Sequence, residues 1–221
     1  MIKLPFGRSL RLYAAVLLIL SCTFAKAEEQ EYDFSDDKTG MVIYYNVTSD
    51  EPPLTIAVAN RDFDYNSYKG KITVPEKVFK GGGLYAVTSV WENAFAYCDS
   101  LSEVILPESI TVLDDGSFVG CKRLKSVVLP DKLTKIGNAA FYGCSSIETL
   151  TISDNVKTLG DNAFNGCSSL KNLKIKSKTP PEIKGSGLGK TNPVIYVPQG
   201  CREIYSGSDI WKKYKIEEFT D

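Results

Sequence analysis

The clearest feature of the sequence is the stretch VLPDKLTKIGNAAFYGCSSIETL, residues 128–150, because its pattern returns every 23 residues. The unit before it, at 105–127, reads ILPESITVLDDGSFVGCKRLKSV, and the unit after it, at 151–173, reads TISDNVKTLGDNAFNGCSSLKNL. A partial unit at 87–104 precedes them. The same columns are apolar in every unit, and no single unit can bury such a face alone. Units that stack bury it against each other, which predicts a solenoid.

Within each unit the residue types predict where the strand and the return segment lie. The spacing L-x-x-L-x-L, as in Leu124, Val127 and Leu129, ends on the alternation typical of a strand with one buried face. Pro130 then ends the strand, since proline donates no hydrogen bond to a ladder. The return segment of the next unit, 138–143, is too short for a long helix. We therefore expect a single helical or 3-10 turn that presents phenylalanine to the core.

A tight turn is expected just before each return segment. Gly137 and Gly160 suit such a turn, and the first full unit places Asp114 at the same position. Aspartate tolerates the left-handed backbone conformation, so we expect the turn to persist in all three units.

The unit at 128–150 carries almost the whole pattern L-P-x-x-[IL]-T-x-[IL]-G-x-x-A-F-x-G-C-x-x-L. This pattern resembles the repeat of the BspA-like leucine-rich-repeat family of bacterial surface proteins. The resemblance includes the segments at 40–50 and 195–216, and thus nearly all of the chain after residue 27. It implies a leucine-rich-repeat solenoid, a short right-handed coil with a parallel β-sheet on one face and short helical or 3-10 turns and loops on the other.

Pattern and composition divide the chain into five segments. Residues 1–27 are interpreted as a signal peptide and residues 28–39 as a flexible lead. A β-rich N-terminal cap is expected at 40–86, repeats of period 23 at 87–175, and a C-terminal cap at 176–221. Caps are expected because a solenoid exposes its core at both ends.

The N-terminal segment predicts export, and it allows two cleavage sites. A positively charged start, an apolar run at 12–20 and the small-x-small pattern Ala25-Lys26-Ala27 are typical of a conventional signal peptide. The alternative is Ile19-Leu20-Ser21-Cys22, which resembles a bacterial lipobox in which Cys22 is lipidated. The first alternative predicts a secreted or cell-surface protein, and the second an outer-membrane lipoprotein.

The composition excludes several classes of function. The chain has no histidine, so it has no Ser-His-Asp or Cys-His pair and no histidine-ligated metal. Without residues 1–27 its basic residues fall from 26 to 22 while 27 acidic ones remain, a net charge of −5. Such a balance argues against nucleic acid as a partner. No glycine-rich nucleotide motif occurs, so no cofactor and no enzymatic activity are expected.

Four cysteines mark the repeat, and three interpretations of them are open. Stacked at the strand spacing of about 4.8 Å, their parallel Cβ vectors do not suit disulfides, and a linear stack does not converge on a zinc ion. A ladder of buried thiols that act as small apolar residues fits the spacing better than disulfides or a metal site. The structural cysteine ladder comprises Cys98, Cys121, Cys144 and Cys167.

Binding is the function class that remains. The outward residues of the L-x-x-L-x-L strands form two short columns on the strand-bearing face, and we interpret them as the candidate partner-binding surface. The alternative is an ordinary solvated sheet surface. The eight residues are Glu103, Ile105, Ser126, Val128, Thr149, Thr151, Asn172 and Lys174.

A row of this kind suits a protein or glycan partner better than a small molecule, which requires a concave pocket. The family resemblance implies partners such as host extracellular matrix. We therefore expect an exported, non-enzymatic, adhesin-like binding protein. The alternative is a surface lipoprotein with a structural or assembly role, and only lipidation at Cys22 would make the membrane a partner.

Overall fold

Short strands are the main regular elements of the computed structural model, which describes residues 34–36, 42–60, 68–186 and 188–220. The predicted signal peptide and Cys22 lie outside these residues, and no helix within them has the length and apolar character to cross a bilayer. The strands are β1 (Phe34–Asp36), β2 (Ile43–Ser49), β3 (Thr55–Ala59), β4 (Lys69–Thr73), β5 (Lys77–Lys80), β6 (Gly83–Val90), β7 (Ser100–Ile105), β8 (Val112–Leu113), β9 (Ser126–Val128), β10 (Lys135–Ile136), β11 (Thr149–Ile152), β12 (Thr158–Leu159), β13 (Asn172–Ile175), β14 (Glu182–Ile183), β15 (Val194–Pro198) and β16 (Ile216–Phe219).

The predicted solenoid is confirmed, and each coil contributes a strand to each of two opposite sides. On one side, the L-x-x-L-x-L strands pair in parallel in the orders β4-β7-β9 and β11-β13-β15-β16. We call their outward side the strand face. On the other side, β6, β8, β10, β12 and β14 also pair in parallel, and we call the sheet that they form the back sheet.

The back sheet corrects the expectation that this side holds only turns and loops. Its two-residue strands contain the apolar column Leu113, Ile136 and Leu159, which points into the core. The residue before each of them points outward, as Lys135 does. This alternation of two residues per coil is enough for parallel pairing, but it is too short to be recognised in the sequence as a strand.

The return segments are not the helical or 3-10 turns that we expected. Within Asn138–Cys144 alternate N–H groups point in different directions: Phe141 donates to Ala163 of the next coil at 2.8 Å, whereas Tyr142 donates back to Ala139 at 3.0 Å. Ala139 has a φ of 50°, which turns the backbone out of the helical path. About half of the N–H groups of the segment therefore form hydrogen bonds with the next coil. The phenylalanine faces the core as predicted.

Gly137 and Gly160 serve a different purpose from the predicted left-handed turn. Neither has a positive φ, and a Cβ atom added at Gly137 would lie 2.6 Å from the carbonyl carbon of Asp114 in the preceding coil. They are needed because the backbones of successive coils approach closely there. The residues with a left-handed backbone lie two and six positions after this position. In the first full unit, where Asp114 occupies the position of Gly137, they are Gly116 and Gly120.

A stack of aromatic rings forms the centre of the core. Phe95, Phe118, Phe141 and Phe164 are stacked with centroid distances of 4.8, 5.2 and 5.5 Å and interplanar angles of 5° or less. Tyr68 continues the stack at its N-terminal end, 4.7 Å from Phe95. One ring per coil gives each coil an apolar contact with both neighbours, which is the packing logic of a solenoid.

Different packing is found at the two ends of the repeats. At the N-terminal end β2 and β3 lie antiparallel, and β3 joins the back sheet through β6. At the C-terminal end, helix α1 (Arg202–Ser206) and a 3-10 turn at Trp211–Lys213 place buried Tyr205 and Trp211 against the last coil. The Trp211 indole donates to the carbonyl of Pro181 at 2.9 Å. The boundaries of both caps stay a prediction.

Candidate binding face

The strand face brings the eight predicted residues into two rows that run across the strands. Parallel pairing aligns Glu103 with Ser126 and Ile105 with Val128. It also aligns Thr149 with Asn172 and Thr151 with Lys174. All eight side chains are exposed or partly exposed, because their neighbours in each strand point inward to the core.

The rows are interrupted once, which the sequence did not indicate. Within the described residues, no hydrogen-bonded ladder joins β9 to β11, so the strand face consists of a three-stranded and a four-stranded sheet. The back sheet is continuous through β8, β10 and β12 at the same level. The two parts of the strand face are therefore held together by the core and the back sheet.

An apolar area lies at the middle of the strand face. Val128 is 50% exposed, and its paired neighbour Ile105 is partly exposed. The residues around them are polar: Ser126 in the parallel row and Thr151 in the next coil. An apolar centre with a polar rim is the usual arrangement of a protein interface.

The structure adds residues to both rows that the sequence assigned to caps. Lys71 and Thr73 of β4 precede Glu103 and Ile105 in the two rows. Tyr196 and Glu217 extend the row of Lys174 at the other end. The signal was present in the sequence, since KITV at 71–74 and VIYV at 194–197 show the same alternation, but both lie outside the 23-residue period.

Several charged side chains of the strand face contact neighbouring groups. Lys71 forms an ion pair with Glu103 at 3.0 Å. The Lys174 ammonium lies 3.7 Å from the centroid of the Phe219 ring, a cation–π contact. A hydrogen bond from Lys215 lowers the pKa of the Glu217 carboxyl, and the neighbouring Arg202 contributes in the same direction.

A cavity of about 350 Å³ lies where the strands of the strand face end. Sequence reasoning did not find it, because its residues follow the strands and belong to four different coils and the last strand. We call it the edge groove. Its lining residues are Asp131, Asp154, Lys176, Lys178, Pro198 and Phe219.

The cysteines form a hydrogen-bonded ladder inside the core, a feature beyond the predicted apolar role. Cys121, Cys144 and Cys167 are buried thiols, and each donates to the carbonyl of the phenylalanine 26 residues earlier, at 2.8, 3.1 and 3.0 Å. In the following coil the Thr191 hydroxyl donates to the Phe164 carbonyl at 2.9 Å and takes the place of a thiol. The column therefore satisfies one carbonyl per coil.

Raised pKa values make the thiols of Cys121 and Cys167 poor nucleophiles. The hydrogen bond with Cys144 raises the pKa of the Cys121 thiol, and burial raises the pKa of Cys167 to about 12. A nucleophilic cysteine requires a lowered pKa. Within the described part of the chain, no three cysteine, aspartate or glutamate side chains converge as metal ligands do.

A second ladder, of polar side chains, lies on the surface beyond the back sheet. Asp115 Oδ1 accepts from the Asn138 N–H at 2.8 Å, Asn138 Oδ1 accepts from the Asp161 N–H at 2.8 Å, and Asp161 Oδ1 accepts from the Ser186 N–H at 2.7 Å. The hydrogen bond from the Ser186 N–H lowers the pKa of the Asp161 carboxyl. The column of Asp, Asn and Asp at 23-residue intervals was the sequence signal for this ladder.

The comparisons agree with this architecture. A family model described as BspA type leucine rich repeat region matches residues 88–205 in six copies. A leucine-rich repeat protein from Bacteroides capillosus ATCC 29799 aligns with a TM-score of 0.51 and 24% identity, over 61% of this chain and 94% of that one. This likeness shows a shared fold.

Two further solved structures align over more of this chain. A leucine-rich repeat protein from Bacteroides ovatus ATCC 8483 has a TM-score of 0.48 and 18% identity, over 85% of this chain and 67% of that one. A leucine rich cell surface protein from Faecalibacterium prausnitzii A2-165 has a TM-score of 0.48 and 18% identity, over 85% and 55%. No curated protein matches the sequence.

Proposed function

Starting from the fact that this chain belongs to the BspA-type leucine-rich repeat family, we propose that it is an exported, non-enzymatic binding protein of the bacterial surface. Its partner is a protein or a glycan, for example of the host extracellular matrix, and the strand face is the contact surface. The observation that carries the proposal is the apolar pair of partly exposed Ile105 and exposed Val128, which lie side by side in one row next to polar residues.

The strand face has further properties that suit a macromolecular partner. It is built on backbone that the strand pairing and the core fix in place, so little conformational entropy is lost on binding. Its residues lie in rows rather than in a deep cavity, which fits an extended partner surface. The thiol and polar ladders form hydrogen bonds with the protein's own backbone. These bonds explain why the same residue types recur in each coil, so no ligand is needed to explain them.

The test is a screen of residues 28–221 against extracellular matrix proteins and glycans, followed by variants of the hit. Ile105→Ala, Thr151→Ala and Lys174→Ala are expected to weaken binding about tenfold where they contact the partner. Thr158→Ala and Lys184→Ala, on the back-sheet side, are matched controls and should leave affinity unchanged. Binding that persists in all three strand-face variants would show that another surface is used.

Export and anchoring are tested separately, by mass spectrometry of the mature N-terminus. The conventional site predicts a chain that begins at Glu28, and the lipobox predicts a diacylated Cys22. A lipidated Cys22 supports the alternative of a surface lipoprotein with a structural or assembly role. An unprocessed Met1 would contradict both.

A further inference from the structure

The edge groove has the dimensions of an extended chain. Asp154 follows β11, Lys178 follows β13, and Pro198 and Phe219 end β15 and β16. Three strand spacings separate the first of these positions from the last, roughly 14 Å. An extended peptide covers about 13 Å from residue i to residue i+4, and its side chains i, i+2 and i+4 point to one side. The groove volume of about 350 Å³ lies in the range of ligand sites.

The charges of the groove are only partly compensated. Asp131 and Lys176 form an ion pair at 2.8 Å. The carboxylate of Asp154 and the ammonium of Lys178 are exposed, and neither has an ion-pair partner among the residues that the structure describes. A matching ligand therefore carries a positive group for Asp154 and a negative group for Lys178, which follow the neighbouring strands β11 and β13.

The apolar end of the groove favours an aliphatic side chain over a sugar. A sugar stacks on the open face of an aromatic ring, but the Lys174 ammonium occupies one face of Phe219 at 3.7 Å from the centroid. Pro198 and the partly exposed remainder of the Phe219 ring form an apolar end of modest size. Alternating charge followed by an apolar group is a pattern that a peptide supplies and a neutral glycan does not.

From these observations we propose that the edge groove binds an extended peptide segment of a partner protein. A basic side chain faces Asp154, an acidic side chain two residues away faces Lys178, and an aliphatic side chain two residues further packs on Pro198 and Phe219. The inference rests on the proposed binding function and specifies one site and one class of partner for it.

The test is an NMR titration of the ¹⁵N-labelled chain in its exported form with synthetic peptides. The probes are blocked peptides that contain Lys-Ser-Glu-Ser-Leu, the reversed order Leu-Ser-Glu-Ser-Lys, and the charge-exchanged form of each, Glu-Ser-Lys-Ser-Leu and Leu-Ser-Lys-Ser-Glu. We expect one of the first two to shift the amide signals of Asp154, Lys178 and Phe219. The charge-exchanged peptide should bind more weakly, by about tenfold if both ion pairs contribute.

The decisive variant exchanges the groove charges, Asp154→Lys with Lys178→Glu. It should reverse the preference, so that the charge-exchanged peptide binds about tenfold better than the original. Lys184→Glu, a matched change of an exposed lysine on the other side of the coil, should not alter the preference. All three substitutions are at exposed positions, and circular dichroism confirms that the variants fold.

Three results would overturn the inference: no shifts with any peptide, an unchanged preference in the exchanged variant, or shifts by N-acetylglucosamine oligomers without shifts by peptides. Its failure is distinguishable from failure of the proposed function. If the peptides do not bind while Ile105→Ala weakens a matrix partner, the strand face functions without the groove. If the peptides bind and no strand-face variant weakens any partner, the groove is a site and the strand face is not.

Discussion

Ser117 shows how a single residue type can disturb a repeat. It occupies the column of Ala94, Ala140 and Ala163, and its hydroxyl is buried without a hydrogen-bond partner in the described structure. A buried polar group without a hydrogen-bond partner lowers the free energy of unfolding by about 1–3 kcal/mol, because it has lost its hydrogen bonds to water. An apolar residue of the same size does not carry this penalty.

We therefore expect Ser117→Ala to raise the free energy of unfolding by about 1 kcal/mol, measured by urea denaturation. The reverse change in the next coil, Ala140→Ser, is the matched control and should lower it by a similar amount. A decrease in stability for Ser117→Ala would mean that the hydroxyl has a partner.

The buried thiols give the stability a specific dependence on pH. The pKa of Cys167 is about 12 in the folded chain, against about 8.5 in an unfolded one. Between these values the unfolded chain has lost the proton and the folded chain has kept it, so stability falls as pH rises. Below about pH 8.5 both states are protonated and this contribution does not change.

We expect the free energy of unfolding to fall from pH 8 to pH 10, and to fall less steeply in Cys167→Thr. Threonine is the chosen replacement because Thr191 makes the same hydrogen bond one coil later. One titrating group contributes up to about 1.4 kcal/mol per pH unit. Equal slopes for the two proteins in urea denaturation at pH 8, 9 and 10 would refute this assignment.

At the scale of the element, close approach between coils constrains the corner before each return segment. At Gly160 an added Cβ would meet the backbone of Gly137 and Asn138, which cannot move aside. Gly143 has a φ of +73°, but an added Cβ there would lie 3.7 Å from the nearest atom and meets no clash. Glycine is therefore required at position 160 because there is no space for a side chain, and at position 143 because the backbone is left-handed.

Gly143→Ala is expected to cost about 1–2 kcal/mol, the price of a left-handed alanine. Gly160→Ala should cost more, about 3 kcal/mol or above, because overpacking of the backbone adds to the loss. The free energies of unfolding of both variants, from urea denaturation at pH 7, decide the order. The reverse order would show that the back-sheet corner can relax.

The strands of the strand face could be predicted from the sequence. The back sheet and the edge groove could not, for physical reasons. The strands around Val127 and Leu150 were recognisable because apolar alternation reports burial. The back sheet was not, since two residues such as Lys135 and Ile136 contain no period. The edge groove was also not predictable, because the residues that line it are brought together only by the stacking of coils.

At the scale of the whole molecule, the solenoid behaves as a linear array whose stability is a sum over coils and their interfaces. Residues 128–150 form one complete unit between two others with matching columns. Removal of this unit would bring Phe118 and Phe164 into adjacent coils, and the stack of rings would be one ring shorter.

We expect the chain without residues 128–150 to fold, with a lower free energy of unfolding and a smaller m-value, because it exposes less surface on unfolding. The measurements are circular dichroism and urea denaturation. A deletion of residues 128–139, about half a unit, is the control and should not fold cooperatively, because it breaks the register of every column. A folded control would contradict the linear-array description.

The gap between β9 and β11 has a consequence for the response of the solenoid to tension. Tensile force along the axis is carried on one side by the continuous back sheet and on the other by two blocks that no ladder joins. We expect the strand side to open first, with the back sheet as the hinge. We therefore expect a pulled molecule to bend at this joint before any coil unravels.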